Sequence, residues 1–558
     1  MAEPASTGSG ERFFLILAIF IGLLSGLAVV AFRLAIDWSH RFFLGNSPPW
    51  WRMLLAPTAA GLVIAILVMK SFPRARGSGV NQTKAALYIY DGYIPFRTAV
   101  GKFLTAAMAI GSGHSLGPED PSLQIGASIA SLLGRRLKLT RERLRLIAPV
   151  GAAAGLAAAF NAPISAVLFV IEEVIGRWSA GIFGAVVLSA VSSVVVMRSF
   201  LGAEPLFHVP EMQPVQATEL PAFAALGVIG AIVSVIFARL IAGTRSRLKA
   251  MPRWSQYFQP AAAGLLVGAI GVMGVPQVMG AGYDSIGAAM HGEFAWRLLA
   301  LIVLMKIVAT TLSFCSGTPG GMFAPTLFIG AMLGASVAGA AHHFSRHMGS
   351  PVAVYALVGM GVLFAGFLRA PMTSVFMVLE VSGDYSIIIP VIIANTLAYL
   401  ITRQLQPVPI FDVLTRQDGL ELPSMEEQRE ETILRVEDAM RLPYIPVVEG
   451  EQTVAAALAS FGQLPQTTAL VNDKPDGWAL VTREELEKWS GEGKGESAVR
   501  RMLGSRRLSH LHPDHTLDTA LRQMQEVPLL PVVHRADPYA LLGVLSLDDI
   551  LNAYRQSG

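Results

Sequence analysis

Residues 111–127 read GSGHSLGPEDPSLQIGA, and this stretch decides the fold because the chain contains it twice. Residues 102–127, KFLTAAMAIGSGHSLGPEDPSLQIGA, align without a gap on residues 306–331, KIVATTLSFCSGTPGGMFAPTLFIGA. Lys102 meets Lys306, Ser112-Gly113 meets Ser316-Gly317 and Gly117 meets Gly321, after which PSLxIGA from Pro121 meets PTLxIGA from Pro325. Further on, residues 150–172 (VGAAAGLAAAFNAPISAVLFVIE) align on 358–380 (VGMGVLFAGFLRAPMTSVFMVLE), placing Ala162-Pro163 on Ala370-Pro371 and Glu172 on Glu380. The chain is therefore expected to be a duplicated unit. Glu119 and Asp120, between Pro118 and Pro121, are the acidic exception inside a long apolar neighbourhood. Ionisable groups at membrane depth are costly to keep and read as functional by default.

Of 558 residues 53% are hydrophobic and 15% charged, against about 25% charged in an average soluble protein. That balance predicts an all-α polytopic membrane protein, and 53 glycines suit closely packed spanning helices. A net charge of +3 gives no reason to expect a nucleic-acid partner; the basic residues read as topology signals. The lone Cys315 cannot form an intramolecular disulfide within this sequence. Residues 1–12 form a polar tail, and the apolar run from Phe13 to about Phe43 is too long for a signal peptide.

The membrane part is expected over 13–415, with one repeat at about 13–200 and the other at about 219–405. Several apolar runs fall short of the roughly 20 residues that span a bilayer and are broken by Gly or Pro. Interrupted segments in matching places of two halves point to a binding site built from broken helices. The short basic loop 134–145, GRRLKLTRERLR, reads as cytoplasmic. Its lipid-recognition reading is the weaker one.

From about Arg416 the composition turns soluble: a linker over 416–433, then two units at 434–490 and 497–556, each with β-like runs between amphipathic helices. Their repeated ending, an apolar strand, Thr or Ser and an acidic helix start, resembles the tandem CBS module. The resemblance implies a cytoplasmic regulatory pair that often binds adenine nucleotide, with Thr482, Ser546 and Asp549 as the candidate contacts and Glu485 beside Thr482. Plain helix capping explains the same residues equally well.

An anion inside a membrane needs donors that do not trap it. Helix N-termini provide them, at roughly 0.3–1 kcal/mol each and about 2 when partly buried. Desolvating an ion costs several kcal/mol, so several ends must converge. Three Gly-rich turns entering helices are candidates: GSGVN at 77–81, GPEDP at 117–121 and GMFAP at 321–325. With GLAAAFNAP at 155–163 and the IEE at 171–173, these stretches resemble the CLC family of chloride channels and proton-coupled chloride transporters, over about residues 12–415. The resemblance implies a homodimer of inverted-topology repeats with tilted, partly spanning helices, and one ion pathway per subunit. It also implies a multi-pass protein of the plasma (inner) membrane with the CBS pair in the cytoplasm.

By the same resemblance Ser78, with Gly79, binds the central anion, and the backbone N–H groups of Met322 and Phe323 cradle it. Glu119 falls on the gating glutamate, which competes with the anion and carries a proton when displaced. Glu173 matches the internal proton-transfer glutamate. The repeat separates it from Glu172, since Glu172 meets Glu380 while Glu173 meets Val381. The bland alternatives are a capping acid for Glu119 and a solvated helix-end acid for Glu173.

The sequence also departs from the family pattern. Pro118 and Asp120 flank Glu119 where a basic residue and Gly are usual, so Asp120 is a candidate modulator that titrates together with Glu119. Asn81 replaces a proline. Phe411, in IFDVLTRQDG at 410–419, stands where the anion-coordinating tyrosine is expected and can close an inner gate without donating a hydrogen bond. His114 has no assigned role beyond packing or a local hydrogen bond.

The function expected is chloride–proton exchange, with no cofactor or metal; chloride, protons and membrane lipid are the partners. The alternative is a passive chloride channel of the same fold, against which Glu173 argues. Ser78 and Pro121 keep the chloride-type pattern rather than that of a fluoride exporter. An intramembrane enzyme using Glu119, Asp120 and His114 as paired acids or metal ligands lacks the HExxH motif.

Overall fold

The computed structural model describes residues 7–176, 180–207, 209–210, 215–344, 350–420, 422–423, 434–443, 445–462, 466–474, 476–504, 506–524 and 527–557. The acidic part of the expected linker, EEQREE, lies outside the described residues. The chain divides into two compact units, Met1–Arg429 and Glu430–Gly558.

In the first unit eight helices recur in the same order. The first set is α1 (Thr7–Phe43), α2 (Trp50–Lys70), α3 (Gly79–Tyr88), α4 (Phe96–Ser112), α5 (Glu119–Arg136), α6 (Arg141–Phe160), α7 (Pro163–Phe169) and α8 (Ala180–Leu201). The second is α9 (Leu220–Ala250), α10 (Gln259–Val272), α11 (Tyr283–Met290), α12 (Trp296–Cys315), α13 (Phe323–Phe344), α14 (Val352–Leu368), α15 (Pro371–Ser382) and α16 (Ile388–Leu405), after which α17 (Ile410–Gln417) follows. Among the described residues eight helices are long and apolar enough to cross a membrane. The others are short or broken, as the interrupted apolar runs require.

The duplication is visible as contacts made twice. Gly117 donates to Gly321 O at 2.9 Å and Gly321 donates to Gly117 O at 2.8 Å, joining the two repeats backbone to backbone. Lys102 Nζ donates to the carbonyls of Ala75 and Gly77, at 3.2 and 2.6 Å, holding the turn that leads into α3. Lys306 Nζ does the same for Val278 and Gly280, at 3.0 and 2.9 Å, ahead of α11. Gly126 and Gly151 let α5 lie against α6, and Gly330 and Gly359 let α13 lie against α14; a Cβ at any of the four would run into the facing backbone. Each of α6 and α14 ends on a left-handed residue, Asn161 (φ 57°) or Arg369 (φ 62°), before the Pro that opens the next helix.

The paired acids complete the symmetry. Glu172 accepts from the N–H groups of Met372 and Thr373, at 3.1 and 2.8 Å, and so caps α15 from the other repeat. Glu380 accepts from Ile164 and Ser165, at 2.9 and 2.7 Å, and caps α7. After Phe169 the helix runs on as a π turn over Val170–Ile175, so the neighbouring Glu172 and Glu173 serve different partners. At the junction of α5 and α6, Arg141 Nη2 and Arg145 Nε bind Asp91, at 2.8 and 3.4 Å. The Arg141 hydrogen bond holds the Asp91 carboxyl below the usual carboxylate range.

In the second unit β1 (Val447–Glu449), β2 (Thr468–Asp473) and β3 (Gly477–Thr482) form one sheet, while β4 (Leu529–His534) and β5 (Asp537–Ser546) form an antiparallel pair. The cores of the two expected units, 434–490 and 497–556, interleave: Val436 and Ala439 pack with Leu517, Leu530 and Ile550 in the second core, whereas Val499 and Leu503 pack with Val454, Val471 and Leu486 in the first.

Replacing a capping side chain by Ala costs about 0.5–2 kcal/mol. Glu172→Ala and Glu380→Ala are each expected to lower the thermal midpoint of the purified protein, with Gln milder than Ala at both positions. Unchanged midpoints in a thermal melt followed by size exclusion would refute the reciprocal-cap assignment.

Candidate ion-binding site

Glu119 is the first residue of α5 and is fully buried. Its Oε2 accepts from the N–H of Ala324, at 3.3 Å, in the first turn of α13, and the Tyr283 hydroxyl donates to its Oε1. Gly117 makes this seat possible, since a Cβ there would collide with the carboxylate and lie 2.9 Å from Ala324 Cβ. The carboxylate thus occupies a position of the kind an anion takes, fed by neutral donors at a helix end. Met322 and Phe323, the expected cradle, lie at this same helix start and are buried. The observed backbone donor to Glu119 is their neighbour Ala324. Phe323 is ringed by Phe169, Phe364, Phe160 and Phe411, with centroids 4.9, 5.8, 6.1 and 6.4 Å away. This apolar collar excludes water and so strengthens the polar contacts beside it.

Asp120 turns to a different helix end. Ser78 Oγ donates to its Oδ1 at 2.9 Å, Gly79 N to Oδ2 at 2.8 Å and Val80 N to Oδ1 at 3.2 Å. Lys102 Nζ lies 3.8 Å from Oδ2. The hydroxyl of Ser78 and the N-terminus of α3, expected to face the central anion, therefore face a carboxylate.

Two of the departures from the family pattern meet. Asn81 Nδ2 donates to the carbonyl of Phe411 at 3.0 Å, tying α3 to the start of α17. Phe411 is buried, its ring near Phe323 and Lys84. Glu173 is buried as well, which removes the solvated helix-end reading. It forms an ion pair with Lys84, whose Nζ also lies 3.7 Å from Asp412 Oδ1. Two carboxylates share one ammonium there. His114 Nε2 contacts the carbonyl of Pro57 in α2 at 3.1 Å, so its hydrogen bond joins segments 57 residues apart rather than being the local one expected. A cavity of about 510 Å³ adjoins Gly77 and Gln82 and is lined by Arg74, Arg76, Arg245, Lys249 and Asp418, the last paired with Arg245 at 2.7 Å and with Lys249 at 2.5 Å.

In the second unit Thr482 forms a capping box with Glu485: Thr482 N donates to Oε2 at 3.1 Å and Glu485 N to Thr482 Oγ1 at 3.2 Å. Ser546 and Asp549 do the same, at 3.0 and 3.2 Å. Asp549 also pairs with Arg441 at 2.5 Å. Both sets carry out the capping role, and Ser546, Asp549 and Arg441 together line a cavity of about 390 Å³.

Four contributors escaped the sequence reading: Tyr283, Lys84, Asp412 and the structural duty of Lys102. Tyr283 had a signal. GAGY at 280–283 repeats GSGV at 77–80, just ahead of the aligned blocks, which puts Tyr283 at the helix start matching the serine motif. Lys84 and Asp412 carried none, because their pairing joins segments 328 residues apart in sequence with no common motif.

The voltage gated chloride channel family model matches residues 60–403, and a CBS domain model matches residues 499–556. A putative chloride channel protein ClcB-like from Ralstonia nicotianae is 32% identical over 426 residues, covering 73% of this chain and 99% of the relative. An H(+)/Cl(-) exchange transporter ClcA from Vibrio campbellii is 31% identical, covering 73% and 91%. The crystal structure of a slow cyanobacterial Cl-/H+ antiporter superposes with a TM-score of 0.67 at 25% identity, covering 73% of this chain and 97% of that one. The duplicated helical unit, with its two repeats meeting at Gly117 and Gly321 and a CBS domain at its C-terminal end, belongs to the voltage gated chloride channel (CLC) family.

Proposed function

We propose that this protein exchanges chloride for protons across a membrane, with Glu119 as the gate at which the two ions meet. The observation that carries this reading is the Glu119 carboxylate at the helix end of α13, accepting from Ala324 N–H and the Tyr283 hydroxyl. A halide arriving there competes for the same donors. A carboxylate that loses them in a water-poor site is stabilised by taking a proton, so anion entry and proton uptake are linked.

Glu173 is the inner proton acceptor in this reading, and Lys84 is its constraint. The carboxylates of Glu173 and Asp412 both face the Lys84 ammonium, and a proton arriving at Glu173 competes with that ammonium for its oxygen. Transfer through Glu173 therefore requires the Lys84 bond to open, a step in series with chemistry at Glu119. Relatives named as exchangers support this reading over the passive channel. We further infer a homodimer in the plasma (inner) membrane, with the C-terminal unit in the cytoplasm.

In proteoliposomes a chloride gradient is expected to drive protons uphill. Glu119→Gln should abolish proton movement, and chloride flux without proton uptake in the wild type would overturn the proposal in favour of the channel. Glu173→Gln should lower the ratio of protons to chloride while chloride flux persists; a lower thermal midpoint with an unchanged ratio would reduce Glu173 to a structural partner of Lys84.

Tyr283→Phe removes a hydroxyl that holds Glu119. In a Glu119→Gln background, where no carboxylate competes, loss of this hydroxyl should weaken chloride binding by about tenfold or more, since a hydrogen bond to a charged group contributes about 1.5–3 kcal/mol. Titration of chloride by calorimetry checks it, and unchanged binding would count against a halide sharing this donor with Glu119.

A further inference from the structure

We propose that Asp120 is a second tethered competitor for the transported anion, its carboxylate holding the Ser78 position until it swings aside. The inference rests on the exchange reading above and adds a residue to it.

Three donors converge on Asp120: the Ser78 hydroxyl and the N–H groups of Gly79 and Val80, at 2.9, 2.8 and 3.2 Å. All are uncharged, and the two backbone groups open a ten-residue helix. Such a set would serve a bound halide equally well. The Lys102 ammonium stands 3.8 Å off and gives its closer hydrogen bonds to the carbonyls of Ala75 and Gly77.

The duplication supplies an internal control. In the second repeat Lys306 makes the same two carbonyl bonds ahead of α11, and the residue aligned with Asp120 is Ala324. The turn, the lysine and the helix start are therefore built without an acid at this place. Asp120 is an addition to the architecture rather than a condition of it. Gly321 faces it, and a Cβ at Gly321 would come within 2.7 Å of Asp120 Cβ, so the seat of this side chain depends on the glycine.

Glu119 and Asp120 are neighbours in the first turn of α5, and each points at the start of a different helix, α13 for Glu119 and α3 for Asp120. In the state observed the chain's own carboxylates fill both positions. An anion crossing this region has to displace two side chains from one helical turn, and moving that turn moves both.

The test is chloride titration by calorimetry on the full-length purified protein, comparing wild type with Asp120→Ala, Asp120→Asn and the double variant Ser78→Ala/Asp120→Ala. Asp120→Ala copies the second repeat and is expected to bind chloride at least tenfold tighter than wild type. Asp120→Asn, which keeps the shape and removes the charge, should gain less and carries the test if the Ala variant does not fold. The gain should vanish in the double variant. If wild-type proteoliposomes transport chloride and neither single variant binds it more tightly, Asp120 is a cap for α3 and the inference fails while the exchange reading stands. If no variant binds chloride and the wild type transports none, both fall together.

Discussion

Two hydrogen bonds between Gly117 and Gly321 join the two repeats at the point where the candidate site is built. Each glycine donates to and accepts from the other, at 2.9 and 2.8 Å, so the repeats are locked backbone to backbone at one point deep in the protein. Buried backbone groups in a membrane must find partners within the chain. Here the partner is the equivalent residue of the other repeat. Because neither position has a side chain, the starts of α5 and α13 can approach, and this proximity brings Glu119 to Ala324. The site is a by-product of how the two halves meet.

The same economy runs through the rest of the unit. Glu172 and Glu380 each close the open helix end of the opposite repeat, and Lys102 and Lys306 each gather the carbonyls of a turn. Charged groups that would be costly alone in a bilayer thus satisfy backbone groups that would be equally costly alone. The acids that lack a counterpart in the other repeat are Glu119 against Phe323, Asp120 against Ala324 and Glu173 against Val381. Symmetric positions carry the fold, and the asymmetric acids are the ones to which the proposed exchange assigns the ions.

This division also sets how much could be read from the sequence. The duplication, the broken helices and the acid at 119 were legible because they are local motifs at constant spacing. A shared structural job for Glu172 followed from its repeat partner Glu380, while the capping itself is seen only in the structure. The contact between Asp120 and Ser78 was not legible, because a side-chain direction at a helix start depends on how α3 and α5 pack. Lys84, Glu173 and Asp412 come from three separate segments, and no spacing rule links them. The interleaving of the two C-terminal cores was not legible for a related reason: hydrophobic patterning marks elements, and it says nothing of which sheet each one covers.

That interleaved C-terminal core has a mechanical meaning. The segment that follows the membrane unit, with Val436 and Ala439, enters the second module's core before the chain builds the first, while Val499 and Leu503 reach back into the first. Neither module can be detached without tearing side chains from its neighbour. The two modules therefore share their packing and are expected to come apart in one cooperative step rather than as two beads on a string.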